Sequence, residues 1–380
     1  MLLNCWYVAA DAADVINEPK GVHMLGQDLV LFRDSAGKAH CLSDVCVHRG
    51  GSLSRGKVVD DSVQCPYHGW RFNGDGNCAE IPSLGEDATI PKRARVDSYP
   101  AVEKYGWLWV FLGDAPEAER PPLPDYFPEY EATEQGTSDE WKFVRGTFIF
   151  EANWVRAIEN GVDHTHAFYV HTDFGNPGKP TVDDYDLDIN ESKIESITYA
   201  KPVSKRGVWA DKIDEDRPDV KTMVRIYKPA PSIRIEMHLK PPMWQMIVSG
   251  YTPIDENRTK VWWCHGRNFF TDDKYDADSH KRVLLVFQED AKVIDFIRPA
   301  MVPPTLSDEL ALENDKHGIE FRKWVKDQEL AGRALDLKAQ HDTDEMVKVI
   351  PSPARGADPK NWVLDAVPVK RPQVRQEAAE

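Results

Sequence analysis

The chain has 380 residues, with 47 Lys plus Arg against 63 Asp plus Glu and a net charge of −16. That balance lacks the basic surface through which nucleic-acid binders release counterions, and 6 cysteines in this length make no disulfide framework. No run approaches the ~18 apolar residues of a membrane span, and the opening Met1-Leu2-Leu3-Asn4-Cys5-Trp6 has no basic stretch ahead of an apolar one, so the sequence predicts a cytoplasmic protein without a membrane span.

The first ~115 residues read as short strands and turns. Asp28–Arg33 is an apolar run before the turn Asp34-Ser35-Ala36-Gly37, and Trp107–Leu112 is a buried strand ending at Gly113-Asp114. Between them stand Cys46-Val47-His48 and, after sixteen intervening residues, Cys65-Pro66-Tyr67-His68. Each half sets one thiolate beside one imidazole, and a [2Fe–2S] cluster can take two Cys on one iron and two His on the other. Two such loops facing each other meet that need. Gly50, Gly51 and Gly69 allow close backbone approach, and Trp70 is placed to shield the cluster. A structural zinc is the competing reading, although zinc sites more often group Cys with Cys and His with His. Cys5, Cys41, Cys78 and Cys264 read as small buried residues.

Ala115–Pro128 holds five prolines and reads as an extended linker. This divides the chain into 1–115, a larger region 116–350, and a Pro- and charge-rich tail 351–380. Strands are predicted at Phe143–Phe150, Lys221–Tyr227, Trp244–Tyr251 and Lys260–Phe270, with helical stretches near 152–171 and 279–298. Asp-rich segments around Thr181–Asp188 and Asp211–Asp219 read as solvated loops. Met243, Trp244, Met246, Trp262, Trp263 and Phe287 are candidates to line an apolar pocket, and equally candidates for plain core.

The stretch Asn153–His171 is dense in ligand-type residues. Non-haem Fe(II) oxygenases use two His and one carboxylate on one face and leave positions open for O₂. On a helix, Glu159, Asp163 and His166 share one face. His171 sits about 140° round from His166, so both reach one metal only where the helix loosens or ends. His164 and His171 share a face but stand ~10 Å apart along the axis, which favours His166 and His171. The third ligand comes from a later apolar stripe of Val283, Val286, Phe287, Val293, Ile294 and Ile297, with Asp290 in its middle. A lone buried carboxylate is costly unless paired or metal-bound. Glu289 and Asp295 are expected on neighbouring, more polar faces. The plain alternatives are ordinary histidines and a buried ion pair at Asp290.

The motif C-x-H…C-x-x-H, seen as Cys46, His48, Cys65 and His68, resembles that of the Rieske oxygenases; Rieske ferredoxins share it but would end near residue 115. The motif E-N-x-x-D-x-x-H-x(4)-H, matched by Glu159-Asn160, Asp163, His166 and His171, resembles the catalytic domain of the oxygenase component in the ring-hydroxylating and demethylating members. Glu289-Asp290 matches that domain's late E-D pair. The resemblance implies an α+β fold: an N-terminal all-β Rieske domain, then a larger catalytic domain with an antiparallel sheet flanked by helices. It implies a [2Fe–2S] cluster on Cys46, His48, Cys65 and His68, and a mononuclear Fe(II) on His166, His171 and Asp290. Asn160 would lie near the iron. Asp163 would link an iron histidine to His68 of a neighbouring subunit in a homotrimer. No Gly-rich dinucleotide fingerprint is present, so NAD(P)H would serve only indirectly, through a separate flavin reductase or a ferredoxin. The implied reaction uses O₂ to hydroxylate or oxidatively demethylate an apolar or aromatic small molecule, as in aromatic hydrocarbon catabolism, or to cis-dihydroxylate a ring as a dioxygenase. An iron–sulfur electron carrier and a zinc-stabilised interaction protein are the competing classes.

Overall fold

A computed structural model describes residues 1–85, 88–171, 180–182, 185–200, 219–341 and 347–373. The chain forms two compact units, Met1–Leu123 with Val325–Glu380, and Pro124–Trp324. Their first boundary falls inside the proline-rich stretch, where the missing N–H groups disfavour both helix and central strand.

The first unit is built from small antiparallel sheets. One joins Cys5–Asp11, Trp107–Leu112 and Ala101–Lys104, with Trp107–Leu112 central. That strand is buried at every position, which is why it reads as an unbroken apolar run rather than an alternating one. A second sheet runs Lys20–Met24, Gln27–Arg33, Ala39–Ser43, Ser98–Tyr99, and a third Lys57–Val59, Ser62–Gln64, Arg71–Phe72, Cys78–Glu80. Val30, Phe32, Leu42, Leu53, Val63 and Phe72 pack into one core that includes Cys46 and Cys65. The two cysteine loops hang from this core, one after Ala39–Ser43 and one between Ser62–Gln64 and Arg71–Phe72.

The C-terminal segment differs from the expected division at 350. Val325 onward belongs with the first unit, and the start of the expected tail is fastened to it. The Tyr99 hydroxyl donates to the Ile350 carbonyl at 2.6 Å. The Ser352 N–H and the Arg355 guanidinium both donate to Asp97, whose side chain is buried and needs such partners.

The second unit centres on a seven-stranded antiparallel sheet in the order Lys142–Phe150, Thr259–Arg267, Met243–Pro253, Ser232–Lys240, Val220–Tyr227, Lys193–Ala200, Tyr185–Ile189. The expected loop near Thr181–Asp188 is in its described later part an edge strand: Tyr185, Leu187 and Ile189 alternate with Asp186 and Asp188, and charge is what a sheet edge tolerates. The other expected loop, near 211–219, lies outside the described residues except for its last position. Two helices that carry chemistry lie on one face of the sheet. Asp276–Ile294 packs on the strand Lys142–Phe150, with Phe287 stacked 5.7 Å from Phe148. Trp154–Val162 lies over Ser232–Lys240 and Met243–Pro253. Gly161 makes that approach possible, because a Cβ there would stand 2.8 Å from both the Tyr251 hydroxyl and Ile233 Cδ1. Among the described residues no helix is long and apolar enough to cross a membrane.

Candidate metal centres

The two cysteine loops close in the same way. In the first, the Cys46 N–H donates to the Gly51 carbonyl and the Cys46 carbonyl accepts from the Gly50 N–H, both at 2.9 Å. In the second, the Cys65 N–H donates to the Trp70 carbonyl at 2.8 Å and the Cys65 carbonyl accepts from the Gly69 N–H at 3.1 Å. Gly50 and Gly69 take φ of +70° and +76°, a left-handed turn that glycine makes freely. The paired turns bring His48 and His68 together, ring centroids 4.4 Å apart, and Trp70 stacks on His48 at 4.6 Å and 5°. Cys46 and Cys65 are each 2% exposed, whereas His68 is exposed beside an exposed Tyr67. Thiols thus face inward and one imidazole outward. Burial, with Cys65 and Cys78 adding to it, pushes the Cys46 thiol up to about 12 against a backbone hydrogen bond at His48. A thiolate in so dry a place calls for a metal's positive charge, and the mixed donor set fits a Rieske cluster.

The second centre arises where a helix stops. Asn153 caps the start of Trp154–Val162 by accepting from the Val155 N–H at 3.0 Å. The helix ends at Val162, and Asp163 is extended, with ψ of 125°. Asp163 Oδ1 accepts from both the N–H and the hydroxyl of Thr165 at 2.7 Å. A new short helix, Ala167–Val170, then sets His166 at its start and His171, extended again, just after it. The single helical face expected for Glu159, Asp163 and His166 therefore does not exist. Glu159 turns away and pairs with Arg322 at 2.8 Å. Asn160 lies half-buried in the last turn.

His166 Nε2 and His171 Nε2 are 3.2 Å apart, and Asp290 Oδ1 is 3.4 Å from each. The three ligand atoms lie within 4.8 Å of one another. Asp290 is 5% exposed, and its Oδ1 has no hydrogen-bond partner although it is buried. Two imidazole lone pairs and an unsatisfied carboxylate oxygen converging on one point suit a divalent cation of the two-His, one-carboxylate kind. Asp163 Oδ2 stands 3.6 Å behind His166 Nδ1, and burial, opposed more strongly by Asp163 and Asp290, leaves the His166 imidazole raised to about 9. His164 is held elsewhere: its Nε2 meets Ser196 Oγ at 2.7 Å and its Nδ1 meets Thr198 Oγ1 at 3.1 Å. Ser196 in turn meets His317 Nδ1 at 2.7 Å.

The late helix departs from the expected stripe in two places. Val293 is 46% exposed while Val283, Phe287, Asp290 and Ile294 are buried. Glu289, expected on a polar face, is buried and lies 3.1 Å from His171 Nδ1. The helix is covered on two sides, by the strand Lys142–Phe150 and by Ala167–Val170, so a position flanking the stripe is also enclosed. In the sequence Glu289 is marked by its place in the Glu289-Asp290 pair, which resembles the family's late E-D pair, and not by the apolar stripe. Of the pocket candidates, Trp263 and Phe287 lie on the face that carries the helices, where Trp263 also meets His280 at 4.9 Å. The two-residue pleat puts Trp244, Met246 and Trp262 on the opposite face.

Comparison with known proteins finds two family matches, one over each stretch of the chain described above. The Rieske [2Fe–2S] domain model matches residues 5–100, and the vanillate O-demethylase oxygenase C-terminal domain model matches residues 150–330. The toluene-4-sulfonate monooxygenase system iron–sulfur subunit TsaM1 of Comamonas testosteroni is 28% identical over 316 residues, 77% of this chain and 86% of the relative. The 3-ketosteroid-9-alpha-monooxygenase oxygenase component of Rhodococcus rhodochrous is 37% identical over 169 residues, 44% of this chain and 42% of the relative. In fold, a mutant of NdmA from Pseudomonas putida CBB5 with theobromine superposes with a TM-score of 0.70 at 22% identity, covering 89% of this chain and 91% of that one. Apo dicamba monooxygenase gives 0.69 at 22% identity, covering 86% and 97%. With one match over the cysteine–histidine loops and another over the histidine–carboxylate centre, the chain belongs to the Rieske non-haem iron oxygenases, as an oxygenase component.

Proposed function

We propose that this chain receives electrons from a separate reductase, directly or through a ferredoxin, and uses O₂ to hydroxylate or oxidatively demethylate an apolar or aromatic small molecule. The observation that carries this reading is Asp290 Oδ1, buried and without a hydrogen bond, 3.4 Å from two histidine nitrogens. A pure electron carrier has no use for such a triad in addition to a cluster cage. Cys46, His48, Cys65 and His68 would hold the [2Fe–2S] cluster, and His166, His171 and Asp290 the mononuclear Fe(II). When bound, the cluster supplies one-electron transfer and the Fe(II) supplies reductive activation of O₂.

The chain's own residues prepare that chemistry. His166 and His171 aim Nε2 at one point and Asp290 Oδ1 faces the same point, so these three residues would hold the metal and leave O₂ and substrate to be bound beside it. Asp163 stays partly open, its side chain 33% exposed, and so does His68. This reading takes the protein as a homotrimer in which Asp163 meets His68 of the neighbouring subunit. Toluene-4-sulfonate and a 3-ketosteroid, named for two relatives, support an apolar or aromatic substrate. Ring cis-dihydroxylation is the second outcome the same site allows.

Iron content tests the reading. The holoprotein should hold a cluster plus one further iron per chain, and Asp290→Ala should lose the further iron while keeping the cluster's visible absorption. Protein that holds cluster iron alone, unchanged by Asp290→Ala, would be an electron carrier. Product mass then separates the reactions: one added oxygen marks hydroxylation, loss of CH₂ with release of formaldehyde marks demethylation, and two oxygens with two hydrogens mark a cis-diol.

A further inference from the structure

We propose that Glu289 is a positioning residue for the mononuclear site, gripping His171 from behind so that the ring presents Nε2 to the metal. The inference rests on the iron reading above and adds to it a residue outside the ligand set.

The geometry is direct. Glu289 Oε2 lies 3.1 Å from His171 Nδ1, and the two side chains are 8% and 3% exposed. The opposite ring nitrogen, Nε2, is the one 3.2 Å from His166 Nε2 and 3.4 Å from Asp290 Oδ1. A neutral imidazole carries one N–H and one lone pair. With the N–H donated outward to a carboxylate, the lone pair must face inward, and a carboxylate behind a ligating histidine also strengthens it as a donor.

Neighbouring positions on one helix make both contacts. Successive residues differ by about 100° around the axis, so Asp290 meets the site head-on while Glu289 reaches round to the back of the second ligand. One helix, Asp276–Ile294, thereby supplies one ligand and orients another. The two ligating histidines are backed differently. Asp163 stands 3.6 Å behind His166 and is 33% exposed, whereas Glu289 is closer and dry. Asp163 is open to exchange with its surroundings, and Glu289 holds a fixed geometry.

The test titrates Co(II) into protein that keeps its cluster but has had the mononuclear site emptied, reading d–d absorption and affinity rather than turnover. Glu289→Ala should bind Co(II) 10- to 100-fold more weakly than wild type, roughly the effect of losing such an outer partner. Glu289→Gln, which can still accept from Nδ1–H, should recover most of that loss. Unchanged affinity in Glu289→Ala, or equal losses in the alanine and glutamine variants, overturns the proposal. Asp290→Ala is the control: if it still binds Co(II) normally, the triad assignment itself fails, an outcome separate from any result at Glu289. Cluster absorption should be the same in all variants.

Discussion

A methyl group on Gly51 would stand 2.9 Å from the Sγ of Cys65. Gly51 has little freedom to retreat, since its carbonyl closes the other cysteine loop by accepting from the Cys46 N–H at 2.9 Å. With a cluster bound the thiol would be held in place, so a rotamer change would not relieve the crowding. Overpacking of this kind costs ~1–3 kcal/mol. Gly51→Ala should therefore lower the [2Fe–2S] content per chain, measured by visible absorption, while the mononuclear site still takes up metal. A fully loaded cluster in this variant would show that the loop yields.

Asp163→Asn separates charge from shape. Asp163 Oδ1 anchors the turn by accepting twice from Thr165 at 2.7 Å, and an asparagine keeps one oxygen for that purpose. What disappears is the negative charge 3.6 Å from His166 Nδ1, together with the Oδ2 acceptor for the His166 N–H at 3.3 Å. Both metal sites should stay filled while turnover falls roughly 100-fold, the upper range for an outer partner of a metal ligand. Activity near wild type, with both irons counted, would remove Asp163 from the pathway between the centres.

Much of this site is legible in local spacing, and what is not has a physical reason. Cys46, His48, Cys65 and His68 stand out because each loop carries its own ligand pair, and His166 and His171 because five residues span one short helical turn. The break after Val162 is foreshadowed by the demand that both histidines reach one metal, but its place is not: Asp163 ends the helix by capping Thr165 with its own side chain. Glu289 stands in the E-D pair that the resemblance picks out, but its contact with His171 is hidden because the two lie 118 residues apart. Ser196 and His317 are hidden because only the fold brings them to the His164 turn: Ser196 lies 32 residues on from His164, and His317 a further 121 on from Ser196. The edge strand Tyr185–Ile189 is masked by its own aspartates.

Arg355 anchors the C-terminal segment of the first unit on Asp97. Its Nε and Nη2 donate to the two carboxylate oxygens, each at 2.8 Å, and the Asp97 side chain is 2% exposed. Removing one partner of a buried pair leaves an uncompensated charge, at about 3–5 kcal/mol. Arg355→Ala should lower the first unfolding transition by about 10 °C in calorimetry. Arg355→Lys should recover little, since an ammonium cannot match a two-pronged carboxylate contact. Equal melting of wild type and Arg355→Ala would mean that the segment's other fastenings, Tyr99–Ile350 and Arg95–Asp358 among them, hold it without Arg355.

Glu236 sets a pH limit on the second unit. Burial alone would raise its carboxyl, but His238 at 2.8 Å, Arg234 at 2.9 Å and Arg225 at 3.0 Å outweigh that and bring it down to about 2 from an ordinary 4.5. A carboxyl whose pKa is lower folded than unfolded stabilises the fold fully above the unfolded value. That contribution fades as pH drops from about 4.5 towards 2. At about 1.4 kcal/mol per pH unit the contribution is on the order of 3 kcal/mol. Glu236→Gln forfeits it at neutral pH and has nothing further to lose in acid. The stability gap between wild type and Glu236→Gln, measured by urea unfolding, should hold from pH 7 to about 5 and narrow steadily by pH 3. A gap that stays constant through that range would assign the stabilisation to shape and hydrogen bonding rather than to the charge on Glu236.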